Sequence, residues 1–163
     1  PLSGTVTVEL LALAGYREGA LEEWTVDVDI DAGESTDLLT VDLAELPKDV
    51  APTEVMLRAT YDGPGESFPA TAFFADFNAL ELPETDLDVE IDGADVTVRS
   101  ERAALFVELD PGMLSGAFSD DYFHLAPGEE RTVTFDSYEG RRDAVVETRL
   151  EADLSVRHLR ETY

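Results

Sequence analysis

The 163-residue sequence has no cysteine, one lysine (Lys48) and two histidines (His124 and His158). Without cysteine there are no disulfides and no thiolate metal sites, although that alone does not fix the compartment. Positive charge is nearly as scarce: 37 acidic side chains stand against 11 basic ones, a formal net charge of −26. Such a polyanion repels nucleic acid, which excludes that class of partner. No stretch approaches the ~20 consecutive apolar residues of a membrane-spanning helix, so no membrane partner is expected. The chain opens PLSGTVTVEL, without an initiator Met and without the charged and apolar regions of a signal peptide, which predicts an excerpt from something longer. Localisation is therefore not legible at the N-terminus.

The acid excess is spread evenly. Residues 1–81 hold 17 acids and 3 bases, net −14, and residues 82–163 hold 20 and 8, net −12. Uniform acidity on a chain that keeps 44% apolar content is the pattern of a halophile's cytoplasm, where molar salt shrinks the Debye length to ~3 Å and screens self-repulsion. A calcium-loaded surface or adhesion module is the competing reading of the same charge.

A period of two dominates the chain. In GTVTVEL, Val6, Val8 and Leu10 share a face opposed by Thr5, Thr7 and Glu9, and in WTVDVDID the inward set is Trp24, Val26, Val28 and Ile30. LDVEIDGADVTVRS repeats the design around an Asp92-Gly93 turn signal and predicts a hairpin. Further strands are expected at 37–43, 55–61, 70–77, 103–109, 131–136 and 144–156. No helix is expected beyond one short turn at Leu43-Ala44-Glu45-Leu46. Short strands at roughly ten-residue spacing predict antiparallel sandwiches. The boundary falls in NALELPETD (78–86), giving an all-β chain of two tandem immunoglobulin-like sandwiches, 1–79 and 80–163. With only five strands, the first falls short of the usual ~7, as though strands were missing from its N-terminal side.

The densest chemistry lies in FSDDYFHLAPGEERTVTF (118–135). Hard carboxylates and an imidazole at Asp120, Asp121 and His124 are plausible metal ligands, but their spacing fits neither a twelve-residue calcium loop nor a His-Glu-x-x-His pair. A scaffold accounts for the stretch residue by residue. Phe118 and Phe123 anchor a core, while Ser119, Asp120 and Asp121 bond the backbone of a turn. Pro127-Gly128 fits the centre of a type II turn, and RTVTF leaves as a strand with Val133 and Phe135 inward. Asp27, Asp29 and Asp31 read as a solvated stripe on one strand face rather than a cage. Trp24 and the Phe73/Phe74/Phe77 group allow a sugar-stacking platform, although alternation puts Trp24 in a core. Tyr122 and Tyr138, nearer turns, are better placed for exposed stacking. Among 37 acids no pair can be singled out for hydrolysis, and neither a Gly-x-Ser-x-Gly elbow nor a phosphate-cradling glycine loop occurs.

ALFVELD (104–110), FSDDYFHLAPGEERTVTF (118–135) and LSVRHLRETY (154–163) resemble, in order and spacing, the C-terminal immunoglobulin-like domain of β-mannosidases in glycoside hydrolase family 2. Asp121 stands where that family usually has Asn. VTVELLALAG (6–15), VMLRATYDG (55–63) and FFADFNALELP (73–83) are similar to the sandwich that precedes it in the same enzymes. The resemblance implies a retaining glycosidase whose two catalytic glutamates lie on a barrel N-terminal to the sandwiches. None of those positions maps onto this chain, so no catalytic, cofactor-binding or metal residue is nominated and no cofactor is expected. The implied role is non-catalytic, with the rest of the parent enzyme as partner; an independent carbohydrate-binding module is the further alternative.

Overall fold

A computed structural model describes residues 1–15, 19–65, 69–138 and 144–162. The chain divides into two compact units, Pro1–Glu81 and Leu82–Tyr163.

The first unit is built on one antiparallel sheet. Strands β1 (Leu2–Ala12), β2 (Glu22–Ile30), β3 (Val55–Asp62) and β4 (Ala70–Phe73) lie in the order β2-β1-β3-β4. The register sets Val6 opposite Val26 and Tyr61, and Leu10 opposite Leu57. Because directly opposed residues share a face, the sequence alternation becomes one apolar and one polar surface. Val8, Leu10 and Val28 are buried on the apolar surface. On the other, Thr5 stands opposite Asp27 with its hydroxyl 3.5 Å from the carboxylate.

Two expected strands of this unit are corrected. Residues 37–43 form no ladder: Leu38 and Val41 are only half-buried, and Asp42 leads into a single 3₁₀ turn at Leu43–Glu45, the short turn the sequence suggests. The strand expected over 70–77 ends at Phe73, and a second 3₁₀ turn occupies Phe77–Ala79. Alternation marks where side chains are apolar, but a ladder also needs a neighbour with free backbone groups.

The second unit is a two-layer sandwich. One sheet has the order β5-β6-β10-β8, from strands Leu87–Asp92, Asp95–Ser100, Glu130–Ser137 and Gly116–Phe118 respectively. The other has the order β11-β7-β9, from Ser155–Arg157, Ala104–Asp110 and Phe123–Leu125. Between them lie Val96, Val98, Val107, Leu109, Phe123, Leu125, Val133 and Phe135. The predicted hairpin is present, with Asp92 opposite Asp95 and positive φ at Gly93 alone of its two loop residues, the mark of a type II′ turn.

The strand expected over 144–156 is an α-helix, α1 (Ala144–Asp153), followed by β11. Val146 and Leu150, four residues apart, bury their side chains in the core, with Leu154 packed against it one turn further on. This is helical spacing, reinforced by Glu147, Arg149, Leu150, Glu151 and Ala152, all good helix formers. The β-branched pair Val145-Val146 disguises it.

Some of the many acids have a structural use. At four turns a glutamate carboxylate accepts the backbone N–H three residues before it: Glu45 from Asp42, Glu54 from Ala51, Glu129 from Ala126 and Glu161 from His158, at 2.8–3.0 Å. In each case the glutamate's own N–H returns a bond to the carbonyl of that same residue. These reciprocal closures satisfy donors that would otherwise lack a partner.

Candidate functional site: the corner around residues 118–135

Phe118 closes β8 and Phe123 opens β9, so residues 119–122 carry the chain from one sheet of the second unit to the other. Phe123 is buried, and Phe118 lies edge-on to Phe135 with ring centroids 5.2 Å apart. Both are the core anchors that the sequence implies. The polar residues between them each hold a named group. Ser119 exchanges bonds with Thr134, its N–H donating to that carbonyl at 2.8 Å and its Oγ accepting that N–H at 3.0 Å. Asp120 Oδ1 accepts the Asp121 N–H, and its Oδ2 accepts Arg131 Nη1 at 2.7 Å. Arg131 in turn lies 4.9 Å over the Phe123 ring.

Asp121 is the hinge of the corner: its Oδ1 accepts both the Tyr122 N–H and the N–H of buried Leu109 in β7, each at 2.9 Å. It thereby ties β7 to the turn before β9. His124 uses Nδ1 to accept the Phe106 N–H at 3.0 Å, and the two rings meet edge to face at 4.6 Å. Burial holds its pKa below the ordinary value; a bond with the Phe123 backbone opposes that shift and nearby Arg131 adds to it. The three candidate ligands thus face three different tasks. Among the described residues no three His, Asp or Glu side chains gather into a metal-holding group.

The Pro127-Gly128 turn has the expected form. Glu129 N–H donates to Ala126 O at 3.0 Å, and Gly128 has φ +77°, which only glycine adopts cheaply. Val133 and Phe135 leave it buried. His158, the other histidine, is buried with Nε2 3.2 Å from the Thr85 carbonyl, a bolt within the same unit.

The remaining candidates are scattered. Asp27 and Asp29 are exposed on β2, with Asp31 just beyond its end. Trp24 is half-buried opposite Val8. Phe73 and Phe77 meet edge to face at 5.2 Å, while Phe74 is half-buried. Tyr138 is exposed beyond the end of β10. A cleft of about 440 Å³ between β5, α1 and β11 has an aliphatic floor that includes Leu87, Ile91, Leu150 and Val156, with Asp86 and Glu161 beside it.

Sequence reasoning missed one feature of the corner. Tyr122 donates its hydroxyl to Glu108 Oε1 at 2.8 Å, and Arg157 Nη2 donates to Glu108 Oε2 at 3.1 Å. Glu108 and Arg157 are register partners on β7 and β11, 49 residues apart, and no local pattern could join them.

The geometry defines a class first: tandem, nearly all-β units made of antiparallel sheets, with a polar network serving as scaffold at the corner between the two sheets of the second unit. Residues 79–162 match the family model of an Ig-fold domain, Ig_mannosidase, and residues 1–78 match that of a mannosidase Ig/CBM-like domain. The chain belongs to the mannosidase immunoglobulin-fold family. No curated protein sequence matches it. Among solved structures it is similar to a β-D-mannosidase from Dictyoglomus thermophilum, at 19% identity and a TM-score of 0.65, over 96% of this chain. It spans 18% of the length of that relative.

Proposed function

We propose that this chain is the non-catalytic C-terminal region of a β-mannosidase-like, retaining glycoside hydrolase, packing against and stabilising a catalytic barrel. The observation that carries the reading is order: two mannosidase immunoglobulin-type domains follow one another along the chain, and 96% of the chain is covered by the likeness to a β-mannosidase structure. Residues 1–79 and 80–163 are the corresponding domains, a division supported by the compact units that part after Glu81. The partner is the rest of the same enzyme; neither nucleic acid nor membrane is part of the reading. Catalysis on the barrel needs two carboxylates in a concave site, whereas the acids at this corner serve as turn and strand fastenings.

Uniform acidity supports a second element, a halophile's cytoplasm as the working medium. The test uses the parent enzyme with and without this region, in molar KCl. The expected outcome is no turnover of an aryl β-mannoside by this polypeptide alone, and a truncated enzyme that melts at lower temperature than the whole. Turnover by this region, abolished by one Glu→Gln change within it, would overturn the proposal. So would a truncated enzyme as stable as the whole.

A further inference from the structure

Two non-glycine residues of the chain have positive φ among the described residues, Phe106 at 52° and Tyr122 at 55°, and both are aromatics of the second unit. Left-handed backbone is costly for bulky side chains and persists only where surrounding bonds over-determine it. Here they do. Phe106 sits in the irregular register between Ala104 and Val107, its N–H bonded to His124. Tyr122 is held at its N–H by Asp121 and at its hydroxyl by Glu108. With Val107, Leu109 and Phe123 turned into the core, Glu108, Tyr122, His124 and Arg157 lie on the opposite, outer face of the β11-β7-β9 sheet.

The result is an aromatic residue pinned at both ends yet still 56% exposed. Its hydroxyl pKa is raised, chiefly by the bond to Glu108 and then by that group's negative charge, so it stays a neutral donor and the ring stays in place. Tyr138 is more exposed, at 76%, but among the described residues no side-chain hydrogen bond anchors it. Beside the ring lies an ion pair of matched charge, Glu108 with Arg157, whose side chain is more than half exposed. The pair offers both acceptor and donor, with the Asp121 carboxylate as a further negative group beside the Tyr122 hydroxyl. Such a pair suits a neutral polyol, whose hydroxyls both donate and accept, and the acidic surface around it disfavours an anion. The ring face adds an apolar platform for the C–H surface of a sugar.

We infer that the outer face of β7 and β9 is a saccharide-binding surface, with Tyr122 as stacking platform and Glu108 and Arg157 as its hydroxyl partners. The ligand class is a neutral, pyranose-based oligosaccharide. A ring already ordered loses little rotamer freedom on binding, which favours even a small contact. Saccharide binding here does not depend on whether the two units brace a barrel.

The test is titration of the whole chain in molar KCl with β-1,4-linked mannotetraose and, separately, cellotetraose, followed by two-dimensional NMR of the backbone amides and by calorimetry. Saturable binding of either sugar in the millimolar range is expected, with shifts centred on residues 106–108, 121–124 and 157. Tyr122→Asn removes the ring while keeping a residue that tolerates positive φ, and it should weaken binding roughly tenfold. Arg157→Ala, an exposed position that leaves the fold intact, should weaken it by a smaller factor, and Tyr138→Ala should leave it unchanged. No saturable binding of either sugar overturns the proposal. Binding unaltered by both Tyr122→Asn and Arg157→Ala, or shifts centred elsewhere, does the same.

Discussion

The two units are almost equal in length and carry almost the same net charge, −14 over residues 1–81 and −12 over 82–163, yet they bury very different interiors. Among the described residues the first has eight buried apolar side chains around one sheet, and the second has fifteen around two. Equal charge with unequal cores separates two influences on stability. Salt acts on the surface that the units share in kind, and burial acts on the interior that they do not. The second unit is therefore expected to melt later than the first, and calorimetry in molar KCl should resolve two transitions.

The largest effects should come from the cores. Phe135→Ala and Phe123→Ala each remove a buried ring from the second unit and should cost about 3–5 kcal/mol, lowering only the later transition. Leu10→Ala in the first unit should cost about 2 kcal/mol, the low end of the usual range, because a thinner core relaxes more readily around the loss. Equal losses measured by urea melts would break the comparison.

Asp121 comes next. Asp121→Ala leaves the N–H of buried Leu109 without its acceptor and should cost about 1–3 kcal/mol. Asp121→Asn keeps Oδ1 as acceptor for both N–H groups and should stay within about 0.5 kcal/mol. Chelator-dependent melting, with a large loss for Asp121→Asn and a small one for Phe123→Ala, would restore the metal reading and undo the scaffold.

Salt should then raise both transitions by similar amounts between low and molar KCl, since the net charges match. Sub-millimolar calcium at low ionic strength should not substitute for it; an equal rise would favour the adhesion module, because specific binding acts at far lower concentration than screening.

The smallest effect belongs to His124 and to the second unit alone. Its folded pKa lies below the ordinary value, so as pH falls from about 6.5 the unfolded chain takes up a proton that the folded one resists, and stability declines. Protonation at Nδ1 would also remove the acceptor of the Phe106 N–H. His124→Gln should flatten that part of the decline, read as the difference in melting temperature between pH 7.5 and 5 for variant and parent. An unchanged difference would show that His124 does not titrate in this range.

Much of this architecture is local and was legible. Val6, Val8 and Leu10 announce β1 because side chains on a strand alternate strictly. Asp92-Gly93 and Pro127-Gly128 announce their turns because each backbone geometry admits few residues. Phe118, Ser119, Asp120, Asp121 and Phe123 could be assigned as anchors and turn-formers from side-chain chemistry alone, and the fold uses them so. Over 37–43 and 144–156 the sequence resembles a strand because apolar alternation looks the same whether or not a partner strand lies alongside. Over 144–153 the Val146 and Leu150 spacing wins only when a core stands ready to receive that face. The three-residue strands β8 and β9 exist through ladders to β10 and β7, and three residues carry no period of their own. Tyr122, Glu108 and Arg157 likewise belong together only once β11 is set in register with β7, which places Arg157 opposite Glu108. What the sequence determined by itself was whatever neighbouring residues decide through backbone sterics and period. What tertiary structure alone decided was every pairing that required the chain to return upon itself, because which distant backbone supplies a hydrogen-bond partner is a property of the assembled core.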